Sequence, residues 1–205
     1  MRIGIFGGTF DPIHYAHLLL ADIACEQLRL DGVRFVVAAQ SPLKPRPPID
    51  AKHRLEMVRL ATGGDARFSV DDQEIRRQGV SYTVETLRAV RAELPQAELF
   101  LLVGADSLHQ FASWREPGSI LELATLAAAY RGGFVLPNFE AIEHVATAEQ
   151  LDRCKDSVIH MPQIELSGSE IRARIAAGQS IRYRTPAAVA AYIAAQGLYR
   201  GVSEL

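Results

Sequence analysis

Two histidines three residues apart, His14 and His17, stand just after the string Gly7-Gly8-Thr9-Phe10-Asp11-Pro12-Ile13. The glycines let a ligand approach the main chain, Thr9 offers a hydroxyl, and Asp11-Pro12 shapes a turn. Both imidazoles then project into one space at the entrance of an apolar helix, where main-chain amides and the positive helix end favour an anion. Hydrogen bonds from imidazole to phosphate oxygens would stabilise a transition state crowded with negative charge. Metal binding is the competing chemistry for such a pair, but no nearby carboxylate or cysteine completes a usual ligand set. The plainest alternative is a capped turn with incidental histidines.

A second constellation lies near the other end of the chain, Leu166-Ser167-Gly168-Ser169-Glu170-Ile171-Arg172. Serine ahead of a helix caps it. Ser169 and Arg172 can together face a phosphate at that helix N-terminus, with the planar guanidinium supplying a fork for its oxygens. By itself the same string is an ordinary helix cap with a surface arginine.

These groups need elements to hold them. Apolar strands over residues 3–6, 33–38, 68–70 and 99–103, with weaker ones over 126–130 and 158–161, alternate with helical patterns. The helices are expected over 17–30, around Leu55, Val58 and Leu60-Ala61, and over 82–94, 169–177 and 186–196. This βαβα order predicts an α/β protein with a Rossmann-like, doubly wound parallel sheet, helices on both faces and a small C-terminal helical part. The wholly apolar stretch 99–103 belongs in the middle of such a sheet. Residues 40–50 hold Pro42, Pro45, Pro47 and Pro48, so they must run as a surface loop. Residues 132–150 read as a loop with a helix. We expect one domain over 1–205, with its C-terminal helical portion at about 167–205. Ligands of such sheets bind beyond the carboxyl ends of the strands, which puts Gly7-Gly8, the proline loop and Gly104-Ala105-Asp106-Ser107 at one rim.

Bulk composition narrows the class. With 205 residues, 48% hydrophobic and 22% charged, the chain matches a globular protein with a sizeable core. A net charge of -2 gives no support for a sequence-independent grip on nucleic acid. No apolar run is long enough to span a membrane, and no signal peptide is evident. The two cysteines, Cys25 and Cys154, suggest no disulfide framework, so a reducing cytoplasm is expected. Assembly as a homo-oligomer stays open.

The run Gly8 to His17 resembles the signature of the nucleotidyltransferase superfamily, written H-x-G-H, with Ala16 in place of its glycine. The serine–arginine string is similar to the superfamily's second motif, I-S-S-T-x-I-R, with Gly168 for a serine and Ser169 for the threonine. The resemblance implies transfer of a nucleotidyl group from a nucleoside triphosphate to a phosphorylated acceptor, with His14, His17 and Arg172 as catalytic groups. It places ATP against Gly7, Gly8, Thr9, Phe10, Gly104 and Asp106 on one side and Ser167, Ser169 and Ile171 on the other. From its place in the proline loop Lys44 can reach the phosphates, a solvated loop lysine being the equal alternative. Mg²⁺ would arrive on the ATP phosphates, with no dedicated metal ligands in the chain.

Segments 53–58, 79–87 and 104–107, with Phe111 and Trp114, are similar to the bacterial nicotinate-mononucleotide adenylyltransferase family. The likeness runs through nearly the whole chain and is weakest over 132–150. It implies Tyr82, Thr83 and Trp114 around the nicotinate ring, while Arg131, at the end of a predicted strand, is placed to meet the mononucleotide phosphate. In kind, an indole face can stack on a pyridinium and helix-entrance amides at Thr83 can receive a carboxylate. Core packing for Trp114 and a simple cap for Thr83 are their plainer roles. The implied substrates are ATP and nicotinate mononucleotide, the products nicotinate adenine dinucleotide and pyrophosphate. Phosphopantetheine adenylyltransferase is the rival within the superfamily, and a non-catalytic nucleotide sensor the rival outside it. The string Gly4 to Thr9 lacks the full G-x-G-x-x-G of a dinucleotide dehydrogenase.

Overall fold

The computed structural model describes residues 1–40, 48–131 and 137–201. The first half of the chain runs β1 (Arg2–Gly8), α1 (Tyr15–Gln27), β2 (Gly32–Val37), α2 (Ala51–Thr62), β3 (Phe68–Asp71), α3 (Gln73–Arg77) and α4 (Thr83–Glu93). The second half runs β4 (Glu98–Gly104), α5 (Ala105–Gln110), α6 (Pro117–Leu123), β5 (Thr125–Arg131), α7 (Ala148–Asp156), β6 (Ile159–Met161), α8 (Gly168–Ala176) and α9 (Ala187–Ala195). The six strands form one wholly parallel sheet in the order β3-β2-β1-β4-β5-β6.

The alternation of side chains along β4 shows why helices must cover both faces. Leu99, Leu101 and Val103 enter one core with Val84, Leu87 and Val90 of α4. Phe100 and Leu102 enter the other with Leu20 and Ala24 of α1 and Met57 of α2. Ile171 of α8 and Val189 and Ile193 of α9 join that second core. The C-terminal helices are therefore anchored beneath the same sheet face as α1.

The strand order reverses between β1 and β4, where such sheets open a crevice. These two strands register Arg2 opposite Glu98. Each is seven residues long and each ends in glycine, Gly8 and Gly104. Adjacent strands thus stop at one level, on the side where the candidate residues lie.

Some local expectations change. Gly7 and Gly8 close β1 instead of making the turn, which falls to the residues after them. Helix α1 starts and stops earlier than 17–30, because His14 caps it and Arg29 just beyond it takes a left-handed φ of 50°. Leu60 stays at the surface, since α2 buries Arg54, Met57, Val58 and Thr62, a face that excludes it. Helices α3, α5 and α6 have five to seven residues, too few for a periodic signal. Within 132–150 the described residues give a 3-10 turn at Phe139–Ile142 and the start of α7, where Thr147 Oγ1 accepts the Gln150 N–H at 3.2 Å. Residues 41–47, which hold most of the proline loop, lie outside the described residues. No helix among those described is long and apolar enough to cross a membrane.

Candidate active site

The turn between β1 and α1 is irregular. Phe10 adopts a φ of 49°, the left-handed region that side-chain-bearing residues avoid, and the Asp11–Pro12 bond is cis. A Cβ on Gly8 would lie 2.7 Å from the Phe10 ring. Glycine is required there so that Phe10 can fold back into the core, where it meets Phe6 edge to face. A Cβ on Gly7 would meet nothing within 4 Å, so its main chain borders open space. Thr9 is also buried. Thr9 and Phe10 therefore offer a ligand mainly their backbone, not the hydroxyl expected of Thr9.

His14 is the N-cap of α1 and His17 sits one turn in, their rings stacked at 3.7 Å and 22°. The His14 N–H donates to His17 Nδ1 at 3.2 Å. A ring nitrogen that accepts holds no proton, so the neutral His17 ring carries it on Nε2. The edge of Phe10 at 5.2 Å, and Phe6 beyond it, pack the same ring. His17 is thus a donor whose tautomer and direction the surroundings set. Ala16, in place of the motif's glycine, is buried.

Helix α8 docks against this turn. Ser167 Oγ accepts the Glu170 N–H at 3.1 Å and caps α8. A Cβ on Gly168 would lie 2.8 Å from the Asp11 carbonyl oxygen, so a serine there has no room. The missing hydroxyl follows from close docking. Arg172 Nη1 donates to that same carbonyl at 2.7 Å, and Nη2 to Ser169 Oγ at 3.3 Å. Ile171 is fully buried in the core. The N-termini of α1 and α8 accordingly converge on one turn.

Several residues here escaped the sequence reading. Tyr199 donates its hydroxyl proton to Asp11 Oδ1 at 2.7 Å, and Thr185 Oγ1 donates to the Ile13 carbonyl at 2.7 Å. No local pattern announces contacts made across 188 and 172 residues of chain. Arg54 is 1% exposed. Its signal was an arginine in phase with Met57 and Val58 on the buried face of α2. Burial, aided by the Asp11 carboxylate, pushes the Tyr199 phenol upward. Unfolded tyrosine loses its proton near pH 10 while the native one keeps it, so stability is full below about pH 10 and falls as pH rises beyond it. Tyr199→Phe is expected to cost about 1 kcal/mol at pH 7 and to flatten that alkaline fall. Urea unfolding at neutral and alkaline pH measures both effects.

The Ser-Tyr-Thr turn reaches the same rim. Ser81 Oγ accepts the Ala39 N–H at 2.9 Å and the Ser81 N–H donates to the Gln40 carbonyl at 2.9 Å. One residue earlier, the Ala38 N–H donates to the Gly8 carbonyl at 2.9 Å. These bonds hang the start of α4, with Tyr82 as its N-cap and Thr83 as its first residue, beside the end of β1. The Arg115 guanidinium covers the Tyr82 ring at 4.6 Å and pairs with Glu85 at 3.1 Å. Trp114 packs on Phe111 at 5.4 Å, and both Tyr82 and Trp114 lean on the core under α4. The Trp114 indole N–H is buried with no acceptor among the described residues. Gly104 ends β4 at this rim, Asp106 lies in α5 and Arg131 closes β5. The side chains of Asp106 and Arg131, and all of Lys44, lie outside the described residues. Among those described, no group of three or more His, Cys, Asp or Glu could hold a metal ion.

The switch-point crevice with its histidine pair marks a class of nucleotide-handling α/β proteins, and comparison gives the family. The chain belongs to the cytidylyltransferase-like family, whose model matches residues 5–174. Over 199 residues it is 46% identical to a Rhodopirellula baltica protein named probable nicotinate-nucleotide adenylyltransferase, covering 97% of this chain and 93% of that one. A Thermus thermophilus protein of the same name is 46% identical over 200 residues, covering 98% and 100%. Among solved structures, Plasmodium falciparum nicotinic acid mononucleotide adenylyltransferase complexed with NaAD superposes with a TM-score of 0.74 at 19% identity, covering 97% of both chains. That last likeness is one of fold.

Proposed function

We propose that this chain transfers the adenylyl group of ATP to nicotinate mononucleotide, giving nicotinate adenine dinucleotide and pyrophosphate, a step of NAD biosynthesis. The observation that carries the proposal is the meeting of two helix N-termini on one turn, α1 with the stacked His14–His17 pair and α8 with Arg172. Relatives 46% identical along nearly the whole chain carry names that support the acceptor.

In the reaction an oxygen of the acceptor's 5′-phosphate attacks the α-phosphorus of ATP, and the bond from that phosphorus to the bridging oxygen breaks. The nucleophile is already ionised, so catalysis is positioning and charge stabilisation rather than base chemistry. His17 Nε2–H, His14 and the Arg172 fork meet the negative charge of the triphosphate. Gly7, Gly8 and the main chain of Thr9 and Phe10 border it at β1, Ser167, Ser169 and Ile171 at α8, and Gly104, Asp106 and Lys44 complete the ATP side. Tyr82, Thr83, Trp114 and Arg131 take the mononucleotide, with the α4 N-terminus suited to the nicotinate carboxylate. A divalent ion such as Mg²⁺, carried on the ATP phosphates, would supply charge screening beside His14, His17 and Arg172. The chain works as a single domain, its two cores sharing one sheet, and in the cytoplasm, where its buried thiols Cys25 and Cys154 stay reduced.

Pyrophosphate release from ATP, measured with nicotinate mononucleotide, nicotinamide mononucleotide and phosphopantetheine side by side, tests the acceptor. The nicotinate compound is expected to win by at least about 10-fold. Equal rates with all three would sink the assignment.

A further inference from the structure

Arg54 is a guanidinium with 1% exposure, and its bonded partners are main-chain carbonyls. Nη1 donates to Thr9 O at 2.8 Å and to Ala38 O at 2.7 Å, Nη2 to Ala39 O at 3.2 Å, and Nε to Ile49 O at 3.0 Å. One side chain therefore ties the turn after β1 to the exit of β2 and to the residue ahead of the α2 cap. Burying a charge this way is costly unless its hydrogen bonds are made. Arginine meets the demand because its five donors radiate in a fixed plane.

The bond to Thr9 O has a directional consequence. In a trans peptide the carbonyl and the following N–H point opposite ways. The only cis bond among the described residues is Asp11–Pro12, so the Thr9–Phe10 peptide is trans. Pinning Thr9 O inward on Arg54 therefore aims the Phe10 N–H away from the core. No described residue accepts that N–H in a hydrogen bond. Fixing the same peptide plane also maintains the left-handed φ of Phe10, which persists only where its surroundings hold it. Arg172 grips the Asp11 carbonyl on the other side of the turn. Two guanidiniums thus bracket the turn, one partly buried beside the ligand space and one wholly internal.

We propose that Arg54 is a positioning residue of adenylyl transfer, which holds Thr9 O inward so that the Phe10 N–H is presented to the phosphates of ATP. The proposal rests on the reaction assigned above and adds to it a residue that touches no substrate.

The test uses the full chain with Arg54→Met, which keeps bulk without charge, and Arg54→Lys, which keeps charge but gathers its donors at one point. Circular dichroism confirms folding, steady-state kinetics give kcat and both KM values, and calorimetry gives the MgATP affinity without turnover. In Arg54→Met we expect kcat to fall about 100-fold and KM for ATP to rise about 10-fold, with KM for nicotinate mononucleotide within about twofold of the parent. Arg54→Lys should recover no more than about 10-fold of the lost kcat. Should Arg54→Met not fold, Arg54→Lys carries the same ATP-selective comparison. Unchanged kinetics per folded molecule, equal rises in both KM values, or full recovery in Arg54→Lys would each overturn the role. A parent enzyme that releases no pyrophosphate would instead overturn the assigned reaction, while the calorimetric affinities of parent and Arg54→Lys would still decide whether Arg54 shapes the ATP site.

Discussion

His17→Ala is expected to lower kcat by about 100- to 1000-fold, the usual cost of one pre-aimed donor to developing phosphate charge. The His14 N–H holds Nδ1 at 3.2 Å, which leaves Nε2 as the protonated nitrogen. Stacking on His14 and packing against Phe10 fix the ring's direction before any substrate arrives. Alanine removes that donor and also the acceptor of the His14 N–H, so about 1 kcal/mol of stability should go with it. His17→Asn separates the two effects. Its amide oxygen can still accept the N–H at the helix start, restoring stability, but it cannot place a donor where Nε2 stood. Kinetics with thermal unfolding on both variants read the split. Near-normal turnover in His17→Ala would refute the role.

Arg172→Ala should lower kcat/KM by about 100-fold, and Arg172→Lys should recover little of it, because a point charge does not replace a planar fork. Nη1 is committed to the Asp11 carbonyl at 2.7 Å and Nη2 reaches Ser169 Oγ at 3.3 Å. The guanidinium therefore does two things at once: it latches α8 to the turn and presents positive charge at the rim. Lysine can keep the charge but not both bonds. The expected signature is a raised KM for ATP together with a lowered kcat. A lysine variant as active as the parent would mean that charge alone suffices and that the latch has no catalytic consequence.

Much of the architecture was legible because it follows from periodicity and local chemistry. The apolar run 99–103 required a doubly covered parallel strand, and β4 lies between β1 and β5 with alternate side chains in two cores. The capping serine of α8 was readable from its string, since the bond from Glu170 N–H to Ser167 Oγ spans three residues. Boundaries were less legible. Helix α1 ends at Gln27 although apolar residues continue to Leu30, because the chain turns left-handed at Arg29. Leu60 looked like a core residue and is not, because the buried face of α2 runs through Arg54, Met57, Val58 and Thr62.

The sequence by itself determined the sheet class and the edge at which β1 and β4 end in Gly8 and Gly104, and it singled out two strings suited to phosphate. All of these rest on the chain's covalent order and on contacts a few residues apart. Only the tertiary structure decided what holds those strings in place. Gly168 looked like a lost hydroxyl and is a point of close contact with Asp11. Arg54 entered the sequence reading only as part of the segment 53–58 and is an internal tie. Tyr199 and Thr185 looked like nothing in particular and clamp the turn from the far end of the chain. Their partners are backbone carbonyls and one carboxylate brought near by folding, and a carbonyl is the same at every position of a sequence, so which one an arginine or a hydroxyl will meet is settled only when the chain is packed.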